Sequence, residues 1–243
     1  MDEARPRHFD PKNWDPNFRA ELYQAEFYAT TAWAAERESM VAAWNGSSTA
    51  EIKKLRALRD RERPAHTGEI IRELLVPVVI GYWYELLRIS PQSHRLTDEL
   101  LYATIYLAGS VATYFKKRFN RARPWVLAPD LLPPVQLLPG LPAYPGGHSA
   151  QAHLMAQVLA YLVPAKTQQI NQVADNVAAN RERGGLNYPS DTEAGKQLAR
   201  RVFGILTQEC ALFQATLKHA AAKEWNPALD PHRDILERTG LPT

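Results

Sequence analysis

Apolar residues recur at three- and four-residue spacing through most of the chain, the period of helices that bury one face. From Asn17 to Trp44 the stripe is Leu22, Ala25, Tyr28, Ala29, Ala32 and Trp33, and Asn45-Gly46-Ser47-Ser48 then offers a stop followed by a new N-cap. Thr49–Arg63 reads as a short, charge-rich helix facing solvent. Thr67–Ile89 is more apolar, with Pro77 either kinking it or starting a new turn. Leu96–Phe119 carries Leu101, Ile105, Ala108, Ala112 and Phe115 on one stripe, widened by Tyr102, Tyr106 and Val111, which predicts a central, mostly buried helix. Further helices are expected at Gly147–Leu162, Ala165–Ala179 and Ser190–Lys223.

Between these, Pro124–Pro145 holds seven of the 18 prolines together with Leu131, Leu132, Leu137, Leu138 and Leu141. Such a segment is neither a regular helix nor a central strand, and long connections in compact domains are often functional. No alternating β-branched run and no internal repeat appears. The pattern therefore predicts an all-α, single-domain helical bundle over residues 1–243, with N-terminal helices in 1–63, the core in 64–223 and a tail in 224–243. Trp33 and Trp83 are expected in that core.

Composition narrows the classes. With 243 residues, 45% hydrophobic and 23% charged, the chain has enough apolar material for a real core. A net charge of +3 does not by itself call for a nucleic-acid partner, and none is expected. The single cysteine, Cys210, excludes an internal disulfide framework and any multi-cysteine zinc site. The best membrane-span candidate, Leu74–Leu87, is short and interrupted by Pro77, Gly81 and Glu85, so no span is expected. The first residues lack the apolar stretch of a secretory leader. A cytoplasmic location follows if Met1 is the native start, and a periplasmic or secreted one if a leader has been removed. An N-terminal helix rich in Trp, Tyr and Phe suits its own core or a second copy's, which leaves a homo-oligomer open.

Three clusters carry candidate chemistry. Five cations fall in the eight positions from Lys116 to Arg123, at a helix C-terminus where cations complement the dipole and are ordinarily solvated. Tyr144-Pro145-Gly146-Gly147-His148-Ser149 opens a helix, where free N–H groups make an anion site, although a capping His is the plainer reading. Asn180 to Asp191 combines a glycine turn with a Ser or Asp N-cap for the last helix.

Taken together, the clusters read Lys116, six residues, Arg123-Pro124; then Pro145-Gly146-Gly147-His148; then Arg181, five residues, Asn187, three residues, Asp191. In order and spacing this resembles the type 2 phosphatidic acid phosphatase superfamily, which also contains bacterial class A acid phosphatases and vanadium haloperoxidases. The family pattern is K-x6-R-P, P-S-G-H and S-R-x5-H-x3-D. The resemblance spans about Thr67 to Lys223, and the local wording is most similar to the acid phosphatases. It implies that Lys116, Arg123, Gly146, Gly147 and Arg181 bind phosphoryl oxygens, that His148 is the general acid, and that Asp191 orients a nucleophilic histidine at position 187. No metal or cofactor is implied, although vanadate could occupy the phosphate site.

The sequence departs from the pattern at the nucleophile. Asn187 stands where the family has His, and a carboxamide nitrogen, its lone pair delocalised into the carbonyl, cannot attack phosphorus. Gly146 replaces a Ser, removing a hydroxyl donor, and Asn180 replaces the Ser before Arg181. The resemblance thus implies a phosphomonoesterase, able in principle to transfer phosphate to alcohols, acting through phosphohistidine and inactivated here by one replacement. Its partner would be a small phosphomonoester or another tetrahedral oxyanion. The alternatives are a vanadium haloperoxidase and a non-enzymatic oxyanion-binding protein. The loop leucines, with Trp125 and Tyr144, are expected either to wall the entrance for an apolar leaving group or to pack the loop down.

Overall fold

The computed structural model describes residues 14–74, 76–135 and 140–226. Leu137 and Leu138 of the proline-rich segment, and the tail beyond residue 226, lie outside the described residues. Among the described residues the chain is all-α, with helices α1 (Pro16–Tyr28), α2 (Thr31–Glu36), α3 (Ser48–Arg61), α4 (Arg63–Arg72), α5 (Val76–Leu87), α6 (Arg95–Phe119), α7 (Pro124–Leu127), α8 (Gly147–Leu162), α9 (Thr167–Arg183), α10 (Pro189–Glu209) and α11 (Ala211–Lys223). No described helix is long and apolar enough to cross a membrane.

α8 is the axle. It packs against α6, α9 and α10, and α1 lies along α6. The main core joins Phe27 and Trp33 from the N-terminal helices to Phe115, Leu154, Leu198 and Phe213, so the first third of the chain shares one interior with the rest. A second cluster seats Trp83 and Ile80 of α5 against Leu101, Met155 and Val177. On α6, Leu101, Ile105, Ala108, Val111, Ala112 and Phe115 are buried as the stripe predicts, but Tyr106 is exposed.

Three predicted helices are divided, each for a local reason. The Asn17–Trp44 stretch breaks after Tyr28, where Thr30 accepts the Trp33 N–H and starts α2, which ends at Glu36. Thr67–Ile89 stops at Arg72, and Pro77 sits in the first turn of α5, where a missing N–H costs nothing. Ser190–Lys223 is interrupted at Cys210, whose backbone is extended, and Glu26 of α1 caps the new start by accepting the Leu212 N–H at 2.9 Å.

α3 is not the solvent-facing helix its charge suggests. Leu55 is fully buried and packs on Ala128, Leu131, Ala143 and Tyr188, tying α3 to the segments around α7 and before α8. Arg56 and Arg59 grip Asp130 from the same side, at 2.6 to 2.9 Å. Leu131 is accordingly buried, whereas Leu132 and Leu141 are exposed. Tyr144 turns inward and donates its hydroxyl to the Ala42 carbonyl, so it forms no entrance wall.

Candidate functional site

Four helix ends converge. The last turn of α6 brings Lys116, and the connection after it brings Arg123. The first turn of α8 brings Gly147 and His148, the last turn of α9 brings Arg181, and Asn187 and Asp191 flank the start of α10. A cavity of about 170 Å³ is lined by Lys116, Arg123, Gly147, His148, Arg181 and Asn187, with Leu141, Gln151, Thr113 and Gly109 completing its wall. Gly146 and Asp191 are the two predicted site residues that do not line it.

The cation run is not solvated as a run. Lys117 and Arg118 are exposed, but Lys116, Arg121 and Arg123 are buried. Lys116 donates to three backbone carbonyls, Pro142, Ala143 and Pro145, at 2.7 to 2.8 Å. Arg123 donates to the carbonyls of Leu141 and Leu186 and to Asn187 Oδ1. These two cations thereby shape the segment before α8. Arg181 differs. It is 2% exposed, yet its Nε and Nη1 have no hydrogen-bond partner. A buried guanidinium with unsatisfied N–H groups is costly unless something else binds there.

Burial is the largest cause of the pKa shifts of all three cations. Burial, and then Arg123 and Arg181, push the Lys116 ammonium down to about 7, with Asp191 opposing. Burial lowers Arg123 and Arg181 to about 10. His148 is pushed well below its ordinary value by burial and by Arg181, with Arg123 and Lys116 adding to this, which favours the neutral ring. Its Nε2 lies 2.7 Å from the Glu73 carbonyl, which makes Nε2 the protonated nitrogen of that neutral ring and leaves Nδ1 as the nitrogen available for a further partner.

At the nucleophile position both polar side-chain atoms of Asn187 are engaged. Nδ2 donates to the Ala143 carbonyl at 2.9 Å and to Asp191 Oδ2 at 3.2 Å, and Oδ1 accepts from Arg123. Asp191 is fully buried at the third position of α10. It accepts the Tyr188 N–H, so the N-cap is Tyr188 rather than the Ser or Asp expected. Burial raises the Asp191 carboxyl, and Arg121 opposes that shift.

Arg121 is not solvated with the exposed members of its run. It lies instead beneath the site, donating at 2.6 Å both to Asp191 Oδ1 and to Glu51 Oε2 of α3. Its guanidinium is sandwiched between the Trp44 and Tyr188 rings, 3.9 and 3.8 Å from their centroids. Neither Glu51 nor Glu73 carries a local signal, since Glu51 reaches the site from α3 and Glu73 from the turn after α4, both far away in sequence. Among the described residues no group of three or more His, Cys, Asp or Glu is placed to hold a metal ion.

Two glycines set the approach of α8 to α10. The Gly146 N–H donates to the Asp191 carbonyl at 2.8 Å, so it is already committed within the fold, and a Cβ on Gly146 would sit 2.8 Å from that same oxygen. A Cβ on Gly195 would lie 2.3 Å from the Gly146 carbonyl. Gly146→Ser, which writes the resembled motif back in, is therefore expected to push α8 from α10. The expected cost is about 1–3 kcal/mol of stability, the range for inserting atoms into a packed contact, with oxyanion affinity lowered rather than raised. Thermal unfolding and an anion titration of the variant check this. Unchanged stability with tighter binding would show that the added hydroxyl simply supplies the missing donor.

No family model matches the chain, and no curated protein matches it. Among solved structures it is similar to the first transmembrane PAP2 type phosphatidylglycerolphosphate phosphatase from Bacillus subtilis. The two share 16% identity over 82% of this chain and 94% of that one, with a TM-score of 0.39.

Proposed function

We propose that the chain is a phosphomonoester-binding protein of the acid phosphatase type, holding its ligand as a tetrahedral oxyanion without turning it over. The observation that carries this reading is Arg181, a buried guanidinium with two unpartnered nitrogens beside a cavity that Arg123, Lys116 and the α8 N-terminus also line. Cations and a helix start converging on a small cavity select a compact anion. The motif order and spacing around Lys116, Arg123, His148, Arg181 and Asp191 support a phosphoryl group as that anion.

The roles follow from geometry and charge. Arg181 and the first-turn N–H groups of α8 take the oxygens, while Arg123 and Lys116 add positive potential from the wall. A bound dianion favours the imidazolium of His148, placing a proton where a leaving oxygen would need it. Asn187 supports binding without turnover, because its carboxamide completes the hydrogen bonds of Arg123, Ala143 and Asp191 but offers phosphorus no lone pair.

Sulfate, whose charge is constant near neutrality, is the probe. Calorimetric titration is expected to show binding with proton uptake. A bound anion raises the Lys116 and His148 pKa values above those of the empty site, so affinity is highest at low pH. It falls as pH rises, with one step beginning near the Lys116 value of about 7. Arg181→Met is expected to weaken binding by about 1.5–3 kcal/mol, the scale of charged hydrogen bonds. Equal sulfate affinity in the two proteins would remove the basis of this reading.

A further inference from the structure

Glu73, in the turn after α4, meets the site twice. Its backbone carbonyl accepts from His148 Nε2 at 2.7 Å. The residue is 1% exposed, and its carboxylate Oε1 accepts from Asn180 Nδ2 at 2.9 Å and from the Tyr82 hydroxyl at 3.3 Å, while Oε2 has no partner. Asn180 precedes Arg181 on α9, and the Asn180 amide also donates to Glu69. Glu73 thus carries an orphaned carboxylate oxygen beside a residue pair whose second member, Arg181, carries orphaned nitrogens.

We infer that Glu73 is a positioning residue that tunes the oxyanion site, its carboxylate balancing the Arg181 charge while the cavity is empty and opposing the anion that enters. This inference rests on the oxyanion reading above and extends it to a residue outside the cavity. The charged and titratable groups around the carboxylate are Glu69 on α4, Tyr82 and Glu85 on α5, Arg181 on α9 and His148 on α8. Of these, Arg181 and His148 also line the cavity. Arg181 and Glu73 act on each other electrostatically, and burial already raises the Glu73 carboxyl. A dianion at Arg181 disfavours the charged carboxylate further, so binding draws a proton onto Glu73. Removing the charge while keeping the shape should tighten binding and take away that share of the proton uptake.

The test is sulfate titration of the full chain, of Glu73→Gln and of Glu73→Met between about pH 5 and about pH 8, with Glu85→Gln as a control on the exposed side of the neighbouring acidic pocket. Glu73→Gln is expected to bind about tenfold more tightly, the equivalent of one pKa unit, with a flatter pH dependence, and Glu85→Gln to match the unaltered chain. A merely structural role would lower affinity or leave it unchanged without flattening the profile. If the unaltered chain binds sulfate and both Glu73 variants show its affinity and its pH profile, the inference is wrong while the oxyanion reading stands. If Glu73→Gln does not fold, Glu73→Met carries the same comparison. No binding by the unaltered chain or by any variant would overturn the oxyanion reading and this inference with it.

Discussion

Asn187→His is expected to raise aryl phosphate hydrolysis by about 10⁴ to 10⁶, the usual loss on removing a nucleophile that works as part of a unit. The surroundings needed by such a histidine are in place. Position 187 lines the cavity, and the present side chain already reaches Asp191 Oδ2, so an imidazole there gains a buried carboxylate to fix its tautomer. His148 lines the same cavity, where the proposed reading has it protonate the leaving oxygen, and Arg181 has two unpartnered nitrogens beside it. Sulfate affinity, by contrast, should change less, because the unpartnered Arg181 nitrogens do not bond to residue 187, and Arg123, which loses the Asn187 Oδ1 acceptor, keeps the Leu141 and Leu186 carbonyls. Side-by-side initial rates check the first statement, and a search for phosphohistidine in the His form checks the mechanism. Similar rates for the two proteins would place the nucleophile elsewhere. Inactivity of both would leave a binding protein and no latent enzyme.

The second large effect is on stability. Arg121→Met is expected to destabilise the fold by about 3–5 kcal/mol, the cost of breaking a buried ion pair by removing one partner. Asp191 is fully buried and loses the one cation within hydrogen-bond reach among the described residues, and Glu51 loses the same partner. The Trp44 and Tyr188 rings lose the guanidinium stacked between them, a contact worth up to about 2 kcal/mol when dry. Lys117→Ala, an exposed change in the same cation run, should stay within about 0.5 kcal/mol. Denaturant unfolding of the two variants measures both values. A loss below about 1 kcal/mol for Arg121→Met would mean that Asp191 is held by its Tyr188 and Asn187 hydrogen bonds and needs no counter-ion.

Much of this arrangement is legible from local pattern. The stripe on α6 and the apolar start of α8 locate the two central helices, and α8 spans Gly147–Leu162 as the periodicity predicts. Lys116, Arg123, Gly147, His148, Arg181 and Asn187, singled out by motif spacing, lie in or beside terminal turns and line one cavity, whereas Gly146 and Asp191 do not line it and Gly109, Thr113 and Gln151 line it without a motif. What local pattern does not carry is long-range pairing. α3 looks solvent-facing because its one buried side chain, Leu55, is outnumbered by charges that serve Asp130 and Arg121. Arg121 looks like its exposed neighbours Lys117 and Arg118 because helix-end cations are alike until a partner is known. The two breaks at Thr30 and Cys210 escape notice because the apolar period continues across them. Gly195 gives no sign that it admits the Gly146 carbonyl, because a glycine within a helix is silent about what lies opposite.

The most direct measurement of the central claim is an experimental structure of the chain soaked with tungstate, a heavy tetrahedral oxyanion. Density is expected in the cavity of about 170 Å³, with oxygens on Arg181, the first-turn N–H groups of α8 and His148. Density found only at the half-buried Lys196 and the exposed Arg200, beside His153 and Asp175, with Arg181 still unpartnered, would contradict this reading.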